Sequence, residues 1–265
     1  MKSLILACCN QGQRKVGVQF GPIILNNIFN KSDHMFNKYN INSTAFESIN
    51  GYNKLYKMHS NLLYNSKKPV ITLGGDHSIG LSTVSSSLTH FGDELVVLWI
   101  DAHADINTFE SSITKNTHGM PVSKLLGLDT NILSKNIPIL NPNNLIYYGI
   151  RDVDIAEKYF INKYDIKYFC NNDHLLGYIN NNYKNKKIHI SFDVDALDPF
   201  HLDSTGTIAK HGLAPFMIKH IFHNLLVHYN VVAIDIVEFN PTLGNYTKSK
   251  KTIEYIINNM LNVLY

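Results

Sequence analysis

The chain alternates short apolar runs with segments of helical period, and this alternation restricts its fold more than any other feature. Six runs are rich in Val, Ile and aromatic residues and apolar on both faces: SLILACC, PVITLGG, ELVVLWID, NLIYYGI, IHISFDVD and NVVAIDIVE. Parallel strands covered by helices have this composition. Helices are predicted between and after them, at 52–65, 78–90, 119–128, 153–162, 172–182, 214–228 and 252–264. We predict an α/β fold, one doubly wound domain over residues 1–265 with a mainly parallel sheet flanked by helices.

Composition favours a soluble globular protein. The 265 residues, 45% hydrophobic and 17% charged, are enough for one large α/β domain with a buried core. No apolar run approaches the roughly 20 residues that span a bilayer. The N-terminal MKSLILACC is too short for a signal sequence, so we interpret it as the first strand.

The charge and the cysteines of the chain argue against a nucleic-acid-binding protein and against a disulfide-stabilised fold. The net charge of +3 comes without basic patches interleaved with aromatic residues, which argues against nucleic-acid binding. The three cysteines, Cys8, Cys9 and Cys170, are odd in number and contain no CxxC pattern. Reduced thiols in the cytoplasm fit this pattern better than a disulfide framework does.

Acidic and imidazole side chains follow four of the predicted strands. In chain order they are Asp76 and His77; Asp101, His103 and Asp105; Asp193, Asp195 and Asp198; and Asp235 and Glu238. One such carboxylate is usually a helix N-cap or a solvated turn. In DAHAD, however, alternate residues would share one face of an extended backbone, and the carboxyl ends of parallel strands form one edge where ligands bind. Buried carboxylates at this density need cations to offset their desolvation and mutual repulsion.

The types of side chain indicate which cations these are. Oxygen ligands with imidazole and no thiolate exclude cysteine-bound structural zinc and favour Mn²⁺, while Fe²⁺, Co²⁺, Ni²⁺ or Zn²⁺ are substitutes. Two ions about 3.5–4 Å apart, bridged by carboxylates and a hydroxide, would use all the carboxylates, whereas one ion would not. Trp99, inside the strand before DAHAD, is expected to be a core residue.

The motifs GGDHS, DAHADIN, HGMP, SFDVDALDP and VEFNP, in that order, resemble those of the ureohydrolases, and arginase most of all. The resemblance runs from GQRKVGVQFGP at 12–22 to EFNPTLG at 238–244 and implies an arginase-like sheet of about eight strands. It implies that Asp101 and Asp193 bridge two Mn²⁺ ions. The full ligand sets would be His77, Asp101, Asp105 and Asp193 for one ion, and Asp101, His103, Asp193 and Asp195 for the other.

Three further stretches resemble arginase in particular, and they imply substrate contacts. RDVDIAE at 151–157 would face an α-amino group, DINTFESSITKNTHG at 105–119 would hold an α-carboxylate, and TGT at 205–207 would lie near a guanidinium. The residues are, in the same order, Asp154 and Glu157; Asn107, Thr114 and Asn116; and Thr207. Thr114 stands where Ser is usual in the family. Lys115 replaces a usual Gly, and could add a cation near the carboxylate or crowd the entrance.

The resemblance implies hydrolysis of L-arginine to L-ornithine and urea by attack of the metal-bridging hydroxide on the guanidinium carbon. Asp105 would pass a proton to the departing amine, Glu238 would pair with and position the guanidinium, and His118 would relay protons at the mouth. Agmatinase or a related amidinohydrolase is an alternative, as is a catalytically silent, metal-stabilised binding protein. A homotrimer or homohexamer is expected, assembled through helix faces.

Overall fold

The computed structural model describes residues 2–130, 133 and 137–264, and within them the strands form one eight-stranded sheet. The strands are β1 (Ser3–Ala7), β2 (Asn37–Ile41), β3 (Val70–Gly74), β4 (Leu95–Ile100), β5 (Leu145–Tyr148), β6 (Lys167–Phe169), β7 (Lys187–Asp193) and β8 (Asn230–Val237). Their order is β2-β1-β3-β8-β7-β4-β5-β6, and all neighbouring pairs are parallel. The predicted α/β fold with a parallel sheet is confirmed.

Two strands, β2 and β6, have no counterpart among the six apolar runs. They are the edge strands of the sheet, and most of their side chains are at least partly exposed. A run of apolar residues marks a strand that is covered on both faces. Edge strands lack that cover, so the sequences NKYNI and KYF carry no such signal.

Helices cover both faces of the sheet. One face carries α1 (Gly21–Lys31), α6 (Asn172–Tyr183), α7 (Pro215–His228) and α8 (Tyr246–Leu264). The other carries α2 (Ile49–Asn65), α3 (Gly80–Phe91), α4 (Pro121–Leu125) and α5 (Ile155–Lys163). Most apolar side chains of α8 are buried. Helix α8 begins before residue 252, α4 is shorter than the predicted 119–128, and α1 was not predicted. No helix in the described part of the chain is long and apolar enough to cross a membrane.

The four central strands bring the polar motifs to one edge. The strands β3, β8, β7 and β4 are successive neighbours in the sheet. Their carboxyl ends lead into His77, Glu238, Asp193 and Asp101, respectively. Because the strands are parallel, these ends lie side by side, which is where doubly wound sheets bind ligands.

Candidate metal centre and substrate pocket

Three carboxylates surround the imidazole of His77. Its Nδ1 atom lies 3.0 Å from Asp101 Oδ2, 3.2 Å from Asp105 Oδ2 and 3.3 Å from Asp193 Oδ2. All four residues are buried. The side chains that the resemblance assigns to one metal ion are thus brought together at the carboxyl ends of β3, β4 and β7.

A second cluster adjoins the first. His103 Nδ1 lies 3.1 Å from Asp195 Oδ2 and 3.4 Å from Asp101 Oδ1. Asp101 therefore directs one oxygen to each histidine, as a bridging carboxylate does. Asp193 directs Oδ2 to His77, and its Oδ1 accepts a hydrogen bond from the Asp195 backbone N–H at 2.8 Å, as Asp101 Oδ1 does from the His103 backbone N–H at 2.7 Å. Of the two carboxylates expected to bridge, Asp101 spans both clusters in this conformation.

The spacing and chemistry of both clusters fit divalent cations. Adjacent ligands of an octahedral ion lie about 3 Å apart when each is about 2.1 Å from the ion, and the separations here are 3.0–3.4 Å. Ser191 Oγ lies 2.9 Å from His77 Nε2, whereas His77 Nδ1 is buried without a hydrogen-bond partner. If Nε2 donates to Ser191, Nδ1 directs a lone pair at carboxylate oxygens, an arrangement that a cation between them would stabilise.

Electrostatics support the same conclusion. Burial raises the pKa of Asp105 to about 6 and the pKa of Asp193 well above its usual range. Among the described residues, the salt-bridge partners of these two and of Asp101 belong to histidines, not to lysine or arginine. Bound cations would favour the ionised carboxylates and so reverse the effect of burial on the pKa.

The DAHAD side chains converge through a bend. β4 ends at Ile100, and Asp101 and His103 lie in bends beyond it. Asp105 has φ of 51°, in the left-handed region that Asp and Asn adopt more readily than most residues. The premise that the three residues share a face of an extended strand is therefore wrong, although their side chains do meet.

Two residues that contact the candidate metal ligands were not predicted to do so. Trp99 is buried, as expected, but its ring stacks on His77 at 4.0 Å and 11°, and its Nε1 donates to Asp101 Oδ2 at 3.0 Å. Ser191 contacts His77 from β7. Each lies two residues before a predicted ligand, Asp101 or Asp193, and this spacing on a strand could have identified them.

Arg151 holds the backbone around Asp195, a role that the sequence does not indicate. Its guanidinium donates to the carbonyl oxygens of Asp195, Ala196 and Leu197 from one loop, and of Ala209 and Lys210 from another. Side-chain donors that satisfy several buried carbonyls fix a loop firmly. The RDVD motif contains this arginine, but nothing in its spacing distinguishes a structural arginine from a substrate contact.

A pocket of about 200 Å³ opens next to the clusters. Six of the predicted substrate residues line it: Asn107, Thr114, Asn116, Asp154, Glu157 and Thr207. His103, Asp105 and His118 also line it, whereas the buried Glu238 does not. The pocket therefore combines acidic, amide and hydroxyl groups next to the candidate metal ligands.

The acidic wall of the pocket is also a helix N-terminus. Asp154 caps α5, and the Asp154 and Glu157 side chains each accept from the other's backbone N–H, at 2.9 and 3.1 Å. Asn107 Nδ2 donates to Asp154 Oδ2 at 2.8 Å, which joins the two predicted substrate loops. Burial raises the pKa of Glu157 to about 7. These carboxylates are held by the capping box before any ligand arrives.

The buried Glu238 pairs with His118, which is partly exposed. Glu238 Oε1 lies 3.0 Å from His118 Nδ1 and accepts from the His77 backbone N–H at 2.9 Å. Burial lowers the pKa of His118, but the hydrogen bond and charge of Glu238 outweigh burial and raise it to about 9. Glu238 itself has φ of 66°. A cationic ligand for Glu238 must therefore compete with His118.

Lys115 turns away from the pocket. Its Nζ donates to the Phe109 carbonyl oxygen at 2.5 Å and lies 4.9 Å from the centre of the Phe109 ring. It does not line the pocket, so it neither adds a cation beside Thr114 nor crowds the entrance. Its φ of 58° lies in the left-handed region that favours glycine, the residue that the resemblance leads one to expect here.

Fold and site together define a class: doubly wound α/β proteins with histidine–carboxylate clusters that could hold metal ions at the carboxyl edge of a parallel sheet. Residues 3–262 match the model of the Arginase family. The chain is 34% identical over 268 residues to the arginase of Staphylococcus aureus strain COL, and the match covers 88% of each protein. The chain belongs to the arginase family.

Two other arginases match this chain, one over part of its length and one over nearly all of it. An arginase of Neurospora crassa is 42% identical over 196 residues, which cover 66% of this chain and 54% of the fungal protein. The chain thus spans little more than half the length of that relative. The solved structure of Entamoeba histolytica arginase in complex with L-ornithine has a TM-score of 0.87 and 27% identity, and covers 97% of this chain and 96% of its own.

Proposed function

We propose that this chain is a binuclear manganese hydrolase that cleaves the guanidinium group of L-arginine to give L-ornithine and urea. One observation carries the proposal: two adjoining histidine–carboxylate clusters share Asp101 and lie beside a pocket with acidic and amide walls. Membership of the arginase family supports the same reaction. The ornithine bound to the Entamoeba relative is the product expected here.

Six side chains would hold the two ions. They are His77, Asp101, Asp105, Asp193, His103 and Asp195. When bound, such a pair of cations lowers the pKa of a shared water so that it can act as a nucleophile near neutral pH. Mn²⁺ is proposed because oxygen ligands predominate over imidazole, and no cysteine lies in either cluster.

The walls of the pocket suit the two ends of an amino-acid substrate. Asp154 and Glu157 would receive the α-amino group, and the α-carboxylate would be held by three neutral donors: Asn107, Thr114 and Asn116. Glu238 would bind the guanidinium, with Thr207 near it. Thr207 Oγ1 donates to Asp195 Oδ2 at 2.8 Å, which ties the guanidinium end of the pocket to the metal ligands. This arrangement would orient the guanidinium carbon toward the clusters.

Two residues would transfer protons in the proposed reaction. The Asp105 carboxylate lies at the pocket wall and would take a proton from the nucleophile and give it to the departing amine. The incoming guanidinium would displace His118 from Glu238 Oε1. His118 would then lose the interaction that raises its pKa, so it could release and relay a proton at the mouth near neutral pH.

Urea release from L-arginine tests the proposal, with agmatine as the comparison substrate. We expect turnover of arginine to be lost in chelator-treated protein and restored by Mn²⁺. Equal turnover without metal would contradict the role of the clusters, and a preference for agmatine would make the chain an agmatinase. The variant His118→Asn separates an enzyme from a binding protein, because loss of the relay should slow turnover while arginine remains bound.

Assembly and location complete the proposal. We propose a homotrimer or homohexamer in the cytoplasm. Ile155 and Tyr159, one turn apart on α5, are 88% and 58% exposed and give that helix an apolar outer face, which supports assembly through helices. Cys8 and Cys9 are buried free thiols, which suits a reducing compartment. Light scattering would measure the assembly directly.

A further inference from the structure

A segment near the N-terminus, Gly12–Gln13, contacts several of the site motifs. The Gly12 backbone N–H donates to Asp76 Oδ2 at 2.8 Å, and its carbonyl oxygen accepts from the His118 backbone N–H at 3.1 Å. A Cβ atom on Gly12 would lie 2.6 Å from Asp76 Oδ1 and 2.9 Å from His118 Cβ. The absence of a side chain at Gly12 therefore lets the segment lie between these motifs and extend Gln13 toward the site.

Gln13 reaches the carboxylate that would bind the guanidinium. Its Nε2 donates to Glu238 Oε2 at 2.6 Å, although 225 residues separate the two in the chain. The other carboxylate oxygen of Glu238, Oε1, accepts a hydrogen bond from the His77 backbone N–H and lies 3.0 Å from His118 Nδ1. Glu238 is 1% exposed, so protein donors, not bulk water, fix its orientation.

The amide of Gln13 lies in a slot beside the TGT loop. A Cβ atom on Gly206 would lie 2.6 Å from Gln13 Oε1. The next residue, Thr207, lines the pocket and donates to Asp195. Gly206 thus leaves the space that Gln13 needs in order to meet Glu238.

We propose that Gln13 is a positioning residue for guanidinium recognition, which it serves by holding Glu238 in the orientation that receives the substrate. A carboxylate has about four acceptor positions, of which Gln13, His118 and His77 use three. When the substrate replaces His118, two positions are open for the paired N–H groups of a guanidinium. Because the Gln13 amide is neutral, it orients Glu238 without cancelling the negative charge that attracts the cation. This inference rests on the proposed function.

The variant Gln13→Met tests the proposal, because methionine keeps the length of the side chain and removes its N–H donor. We expect kcat/KM for L-arginine to fall roughly 10- to 100-fold, the usual range for one hydrogen bond to a charged group. L-Ornithine has no guanidinium, so its dissociation constant by calorimetry should stay unchanged, as should Tm and metal content. The control is Gln11→Met, whose glutamine is exposed and bonds to Asn10.

A second variant, Gly206→Ala, displaces the Gln13 amide while glutamine itself is kept. We expect it to reproduce the selective loss of arginine turnover with ornithine binding intact. Wild-type kinetics in Gln13→Met, or a parallel loss of arginine and ornithine binding, would overturn the positioning role. If the wild type releases no urea from arginine, the proposed function fails first, and this inference fails with it.

Discussion

The ionised Asp105 carboxylate should destabilise the metal-free protein, and the variant Asp105→Asn should therefore stabilise it. Asp105 is buried beside Asp101, which also repels its charge. Asparagine has nearly the same shape, cannot ionise near neutral pH, and tolerates the left-handed backbone at this position, where φ is 51°. The substitution thus removes the charge with little other change.

The magnitude follows from the pKa. Burial raises the pKa of Asp105 from 3.8 to about 6, and each pH unit between these values corresponds to about 1.4 kcal/mol. Because the folded-state pKa is raised, ionisation of Asp105 lowers the free energy of unfolding. This loss is absent below pH 3.8, grows as the pH rises, and is complete above about pH 6. We expect metal-free Asp105→Asn to exceed the wild type in free energy of unfolding by about 3 kcal/mol at pH 8 and hardly at all at pH 4.

Urea unfolding of chelator-treated protein at pH 4 and pH 8 measures this difference. Asp165→Asn is the matched control: Asp165 also has φ near 50°, but its side chain is 81% exposed and pairs with Lys167, so the change should stay within about 1 kcal/mol. With Mn²⁺ present the order should reverse, because the variant lacks a charged ligand. A metal-free wild type more stable than Asp105→Asn at pH 8 would refute the reasoning.

Three other substitutions test separate parts of the site and core. Ser191→Ala should weaken metal binding roughly 10- to 100-fold in calorimetric titration, because His77 loses its hydrogen-bond partner; unchanged affinity would exclude a supporting role. Asn116→Ala should reduce kcat/KM for arginine roughly 10-fold and spare agmatine, which lacks the α-carboxylate; equal losses would place the residue elsewhere. Burial lowers the pKa of His59 from 6.5 to about 3, so the protein loses stability as the pH falls below 6.5. His59→Asn should flatten this decline in the free energy of unfolding, measured with urea, by about 1.4 kcal/mol per pH unit. An unchanged slope would contradict burial of the neutral form.

The sequence predicts what periodicity and local motif spacing encode. The central strands are apolar on both faces, and the motifs that follow them were expected to meet at one edge because parallel strands share a direction. β3, β8, β7 and β4 meet that expectation. The edge strands were not predicted because they are not covered on both faces. Helix α1 was not predicted because the large apolar side chains that it buries, Leu25, Ile28 and Phe29, make only a short stripe.

Contacts between distant segments could not be predicted in the same way. Arg151 satisfies carbonyl groups in two loops, and Gln13 meets Glu238 across 225 positions. Neither contact is encoded by a short, fixed spacing in the sequence, because each depends on how the loops fold over the finished sheet. Lys115 illustrates the same limit. The resemblance draws attention to this residue, but the direction of its side chain is set by Phe109 and the loop carbonyls.

Several residues of the site lower the local stability of the fold, and the apolar core compensates for that loss. Asp105 and Glu238 both adopt left-handed backbone conformations, which cost about 1 kcal/mol or more each for residues other than glycine. Both also bury a carboxylate. Two large apolar layers pack against the two faces of the same sheet, and only some of their residues lie at its carboxyl edge. Metal ions would therefore offset a cost that is confined to the edge, so their removal should impair the site without unfolding the sheet.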